Sequence, residues 1–177
     1  KEISKDVFGD LNNTCLQITP TPRISFGGCH GTSIHTDYWY GHGETAITVW
    51  VPLLNCVPGA TFFSDHFNEL GLKHEKEDFS LDYLNELTKN ISNDRFQVLP
   101  PKDSCYIFKS KVLHGSPLNT TEKTRLSIDF RISKNDDISS AKDLENYFQF
   151  NCIEDNYIYP KHQFYKKSKF NKFIVVK

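Results

Sequence analysis

The cleanest pattern in the chain is Arg125-Leu126-Ser127-Ile128-Asp129-Phe130-Arg131-Ile132, where polar and apolar residues alternate without a break. A period of two is that of a β-strand, and it puts Arg125, Ser127, Asp129 and Arg131 on one face. Thr45 to Leu53 (TAITVWVPL) is rich in β-branched residues and reads as a central strand ending at Pro52. Alternation assigns Thr45, Ile47, Val49 and Val51 to one face, and Ala46, Thr48 and Trp50 to the other, where they pack the core or flank a ligand. Arg23 to Phe26 is a short strand stopped by Gly27-Gly28, and Gly31 to Tyr38 is expected to be another. Cys105 to Phe108 and Lys109 to His114 read as one long or bent strand, and the polar loop Pro117 to Thr124 returns the chain to Arg125.

Helical spacing is confined to a few places. Ser80 is an N-cap for a helix to about Asn90, with Leu81, Leu84, Leu87 and Ile91 on one stripe. A second helix is expected from Ser140 to about Phe148, with Asp143 placed for a capping box. Residues 1–20 suggest a short helix and an extended approach, and 64–79 a charged insertion or lid. Many short strands, few helices and no βαβ alternation give a mainly β fold, a double-stranded β-helix or jelly-roll barrel with flanking helices.

The chain has 177 residues, 38% hydrophobic, with 14 Phe and 8 Tyr, which fits one globular domain. A net charge of -1 gives no field for nucleic acid, and no membrane-length apolar run is present. Five Cys without a C-x-x-C argue against a zinc ribbon or redox pair and for reduced thiols, hence a cytoplasmic location. The chain has no Met, even at position 1, which suggests trimming. The end of the chain is a basic aromatic tail, whose rings are expected to pack on the barrel.

His35 and Asp37 lie two apart, so on a strand both side chains reach one metal ion while Thr36 faces away. His114, at the end of an apolar strand, is the third candidate ligand. Two His and a carboxylate on one face of an octahedron form the arrangement of non-haem Fe(II) oxygenases. An H-x-D pair alone is weak in a chain with 7 His and 22 acidic residues. Arg125, eleven residues beyond His114, strengthens it, because an antiparallel return brings both to one cavity. The loop Tyr38-Trp39-Tyr40-Gly41-His42-Gly43-Glu44 supplies substrate-side candidates in Tyr38, Tyr40 and His42, with closure of the barrel mouth as the alternative. His42 also competes as a ligand. Arg131 is a candidate for an anionic substrate or a structural ion pair, and Arg23 for an anion contact or an ordinary structural role.

H-x-D, a distant His and an Arg about ten residues on resemble the Fe(II)/2-oxoglutarate-dependent oxygenases, matched here by His35, Asp37, His114 and Arg125. The R-x-S pair Arg125/Ser127 resembles that of many members, and the ending His114-Gly115-Ser116 is similar to phytanoyl-CoA dioxygenase-like ones. The runs HTDYWYGHGETAITVWVPL and TRLSIDFRI look like the small oxygenases of streptomycin-type biosynthesis. The resemblance covers roughly Arg23 to Ile132. It implies one oxygenase domain over 1–177, with a barrel core at about 23–132 and a C-terminal helix and tail at 139–177.

It further implies Fe(II), 2-oxoglutarate and O2 as cofactors, with the distal carboxylate of 2-oxoglutarate held by Arg125, Ser127 and Ser116. The expected reaction is hydroxylation of a small polar or sugar-like molecule, coupled to decarboxylation of 2-oxoglutarate to succinate. Asp37 argues against halogenation, since halogenating relatives carry a small residue there. The alternatives are a cupin-like metal enzyme that does not use 2-oxoglutarate, and a non-catalytic binding protein on the same barrel.

Overall fold

The computed structural model describes residues 2–9, 13–65, 80, 82–84, 97–101, 103–138, 142, 147–150 and 172–175. Its axis is the alternating segment, which forms β7 (Arg125–Lys134). On one edge β7 pairs with β2 (Thr21–Ser25), Arg23 opposite Ser127, and then with β1 (Thr14–Gln17), Leu16 opposite Ile132. On the other it pairs with β3 (Ile47–Pro52), from Ile47 opposite Ile132 to Pro52 opposite Ser127. The sheet continues from β3 to β5 (Ser104–Lys109) and, in parallel, β9 (Lys172–Val175). Beyond β1 lies β8 (Phe148–Phe150). A second sheet pairs β4 (Phe63–Asp65) with β6 (Leu113–Gly115). This strand-dominated, mostly antiparallel architecture is the jelly-roll type expected.

The large sheet divides its residues by parity. Ile47, Val49, Val51, Cys105, Ile107 and Ile132 form a buried cluster, closed by Ile128, Phe130 and the residues Val7 and Phe8 of the helix α1 (Glu2–Phe8). The opposite face of β7 is buried and polar, with Arg125, Ser127, Asp129 and Arg131 each at most 5% exposed. A buried ionic face needs a partner for every charge. Thr48 and Trp50 of β3, opposite Arg131 and Asp129 in register, continue this face, and Trp50 clusters with the aromatic rings of Phe62, Tyr106 and Phe108.

Several elements differ from expectation. Gly31 to Tyr38 is not a strand: His35 makes an isolated bridge to His114, and Asp37–Tyr40 is a 3-10 turn. The segment from Cys105 to His114 is two strands in two sheets, broken at Ser110–Val112. At the break the Ser110 N–H extends the β3–β5 pairing by one bond, to Ala46 O at 2.8 Å, and its hydroxyl donates to Gly43 O at 2.6 Å. Phe148 belongs to a strand rather than a helix end, and Lys172–Val175 of the tail joins the sheet. The helix from Ser80 is described over 82–84, where Ser80 Oγ accepts from Tyr83 N at 3.1 Å. The rest of it, the segment 66–79, most of 139–146 and the remainder of the tail lie outside the described residues. No described helix is long and apolar enough to cross a membrane.

Candidate metal centre

The bridge between His35 and His114 is reciprocal, each N–H donating to the other's carbonyl at 2.9 Å. A paired bridge sends both side chains to the same side of the backbone, and the rings sit 4.3 Å apart. Each ring also meets the carbonyl two residues before it: His35 Nδ1 lies 2.7 Å from Ser33 O, and His114 Nδ1 lies 2.9 Å from Val112 O. A carbonyl only accepts, so Nδ1 carries the proton in both rings and Nε2 keeps its lone pair. Burial pushes the His35 pKa down to about 3, with the neighbouring His114 adding to the effect, and burial lowers that of His114 too. Both imidazoles are therefore neutral, the form that binds a metal.

Asp37 is delivered by a turn. Thr36 is the N-cap of Asp37–Tyr40, its hydroxyl accepting from Trp39 N at 3.2 Å, and Gly41 closes the turn in the left-handed region at φ 84°. Thr36 is 0% exposed, with its hydroxyl taken up by this cap. Asp37 Oδ1 lies 3.8 Å from His114 Nε2 and 2.8 Å from Arg131 Nη2. Its Oδ2 accepts from Arg131 Nε at 3.2 Å and from the Thr48 hydroxyl. Burial opposes ionisation of Asp37, but the Arg131 guanidinium and the hydrogen bonds from Arg131 and Thr48 outweigh it, holding the carboxyl well below the usual range. The donor atoms of His35, Asp37 and His114 lie within 4.8 Å of one another, all three residues buried. Two neutral imidazoles and one ionised carboxylate suit a divalent first-row ion.

The cavity beside this cluster is about 40 Å³, lined among others by Arg23, Thr32, Thr48, Trp50, Arg125 and Asp129. Arg125 is 5% exposed; Nη2 donates to Ser116 Oγ at 3.1 Å, and the guanidinium carbon lies 5.8 Å from the Trp50 ring centroid. Its Nε and Nη1 have no hydrogen-bond partner among the described residues. A buried cation with unfilled donors, in the same cavity as two of the three metal-competent residues, His35 and His114, fits an anionic ligand. Ser116 also lines the cavity, whereas Ser127 is wholly buried and takes the Trp50 indole N–H at 3.0 Å.

The other candidates separate. Arg131 is consumed by Asp37 and by Asp129, so it forms the structural ion pair rather than an anion site. Tyr38 lies under Lys111 Nζ at 5.0 Å. Tyr40 is 63% exposed and meets His35 edge-on at 5.3 Å. His42 turns into the protein against Tyr147 and Phe148, with burial lowering its pKa to about 4. None of these three is among the cavity-lining residues. Thr48, Trp50 and Arg23 line it instead; alternation marked the inward face of β3, and only the register with β7 reveals what that face meets.

No protein-family model matches the chain, and no curated protein does. Solved structures do. The epimerase SnoN, in complex with Fe3+, alpha ketoglutarate and nogalamycin RO, aligns over 75% of this chain and 54% of its own, at 15% identity and TM-score 0.53. The non-heme monooxygenase ThoJ aligns over 75% and 54%, at 16% identity and TM-score 0.49. EctD from S. alaskensis aligns over 77% and 50%, at 15% identity and TM-score 0.48. The chain thus spans about half the length of these structures. Together with the strand order above, the likeness to SnoN establishes that this chain has the fold of the non-haem iron, 2-oxoglutarate-dependent enzymes.

Proposed function

We propose that the chain is an Fe(II)- and 2-oxoglutarate-dependent oxygenase that oxidises a C–H bond of a small polar molecule. The observation that carries this is Arg125. Its unpartnered Nε and Nη1 share a cavity with His35 and His114, and Asp37 lies within 4.8 Å of both imidazoles. A metal site alone would suit many proteins, and a buried Arg alone would suit any anion. Their conjunction suits a metal-chelating dianion.

The roles follow from the contacts. His35 and His114 would each offer Nε2, since Nδ1 is engaged by a backbone carbonyl. Asp37 would offer Oδ1, which lies 3.8 Å from His114 Nε2 and carries one hydrogen bond, from Arg131 Nη2, where Oδ2 carries two, from Thr48 and Arg131 Nε. Arg125, positioned by Ser116 and the Trp50 ring, would take the distal carboxylate of 2-oxoglutarate. Bound iron and 2-oxoglutarate would supply the oxidising chemistry, with loss of CO2 and formation of succinate. The protein's own part is to fix these donors and, with Trp50, Phe62 and Phe108, to wall the cavity against water.

The test is an anaerobic titration with Fe(II) and then 2-oxoglutarate, followed in the visible spectrum. A metal-to-ligand charge-transfer band is expected in the wild type and not in Arg125→Gln, with iron retained in both. Iron binding without a band in the wild type would favour a metal enzyme that does not use 2-oxoglutarate.

A further inference from the structure

We propose that Arg23 anchors an oxyanion on the organic substrate, so that the site takes a small molecule carrying a carboxylate or phosphate. This rests on the reading of Arg125 and the metal cluster just given, and adds the substrate class.

Arg23 pairs with Ser127 across β2 and β7, which puts it on the inward face shared with Arg125 and Asp129. It lines the cavity together with His35 and His114. Its side chain is 34% exposed where Arg125 as a residue is 5% exposed, so Arg23 stands at the mouth and Arg125 at depth. Its Nε donates to Asp129 Oδ2 at 2.7 Å. That bond fixes the guanidinium and leaves the Nη1/Nη2 end without a hydrogen bond to any described residue. An end-on guanidinium held in place by a carboxylate behind it is a preorganised oxyanion fork.

The charges agree with the geometry. The cavity and its cluster hold three guanidinium groups, Arg23, Arg125 and Arg131, against two carboxylates, Asp37 and Asp129. A divalent ion and the 2-oxoglutarate dianion cancel each other, so the loaded site keeps one positive charge in excess. Arg131 has given its donors to Asp37 and Asp129, and Arg125 is committed to the cosubstrate. Arg23 shares Asp129 with Arg131 and keeps its Nη1/Nη2 end open among the described residues, and a substrate anion there completes the balance. Phe62 and Phe108, on the same cavity wall, provide apolar surface for the rest of the molecule.

The experiment uses protein loaded with Mn(II) and saturating 2-oxoglutarate, titrated with inorganic phosphate. Paramagnetic broadening of the 31P line reports an ion held near the metal. Saturable broadening is expected in the wild type, weakened about tenfold or more in Arg23→Gln and largely kept in Arg23→Lys, while 2-oxoglutarate affinity changes by less than about twofold. Labelled acetate, read in 13C, runs in parallel; the tighter probe names the anion as carboxylate or phosphate. Equal broadening in wild type and Arg23→Gln, or none with either probe in the wild type, overturns the proposal. So does a fall in 2-oxoglutarate affinity in Arg23→Gln as large as that in Arg125→Gln, which would make Arg23 part of the cosubstrate site. Failure of the wild type to bind Mn(II) or 2-oxoglutarate at all is a separate outcome that overturns the underlying oxygenase reading, and this proposal with it.

Discussion

Replacing Arg125 by Met should stabilise the ligand-free protein and abolish its response to 2-oxoglutarate. Arg125 is 5% exposed, and Nε and Nη1 find no acceptor. Each buried donor left unpaired costs about 1–3 kcal/mol. The bond to Ser116 and the Trp50 ring face return about 1–2 kcal/mol. Water entering at the mouth offsets part of the remainder, so the net gain from Met, which keeps an apolar stem of similar length, is about 1–3 kcal/mol. For a domain of this size each kcal/mol is about 2–4 °C in Tm, so the variant should melt about 2–12 °C higher. Losing a buried charge pair to a carboxylate costs about 3–4 kcal/mol in binding, a factor of about 100 to 1,000 in Kd. The assay is thermal melting with Mn(II), with and without 2-oxoglutarate. At about 100 times Kd the ligand should stabilise the wild type by about 2.7 kcal/mol, and the variant hardly at all. A lower melting temperature for the variant would make Arg125 a structural residue, and an undiminished ligand shift would place the anion elsewhere.

His35→Ala should lose divalent metal binding, measured by calorimetry, while losing no more than about 1–2 kcal/mol of stability. Asp37→Ala should lose the metal and also about 3 kcal/mol in denaturant melts, because it leaves Arg131 Nε and Nη2 buried without their carboxylate, with Asp129 the remaining partner. The pKa of His35 is lowered to about 3 by burial and His114, so the unfolded chain binds the extra proton; stability is complete above about 6.5 and falls as pH drops toward about 3, at up to about 1.4 kcal/mol per pH unit. Metal-free melts at pH 7 and pH 5 should show this, with a shallower slope in His35→Gln. Cys29 is exposed, while Cys15 and Cys105 are buried with pKa pushed by burial to about 11; a thiol reagent should label Cys29 in the native state and the other two only on unfolding. Gly43→Ala should destabilise the chain, because its Cβ would meet backbone and side chain of Asp137, the residue that accepts from Glu44 N and the Thr45 hydroxyl.

The parity of β7 and β3 was legible because one face of each strand is apolar and the other carries Arg, Asp, Ser, Thr or Trp. That pattern placed Arg125 and Arg131 on one face and Thr48 and Trp50 on another. It did not say that the two sets share one face of one sheet, which depends on the β3–β7 register. The same limit explains Arg131: the alternation sets it inside, but only tertiary contact shows that Asp37 fills it. His35 and Asp37 converge as expected but by a different route, a bridge followed by a capped turn, since T-D-Y-W at positions 36–39 suits a 3-10 N-terminus as well as a strand. Spacing of two brings side chains together in either. Tyr38 and His42 misled because a Gly-flanked aromatic loop reads as a cavity rim, while the turn at Gly41 directs them to Lys111 and to Tyr147.

Both imidazoles are held by main-chain carbonyls rather than by side chains. The atoms that set the tautomer and aim of each ring are therefore present whatever residues occupy positions 33 and 112. Mutation can alter those side chains freely without disturbing the rings, provided the local backbone path survives. The heritable requirement shrinks to the two histidines and a chain trajectory. Such a centre can persist through very deep sequence divergence, and its trace in a sequence is correspondingly faint: a few isolated letters with unconstrained neighbours.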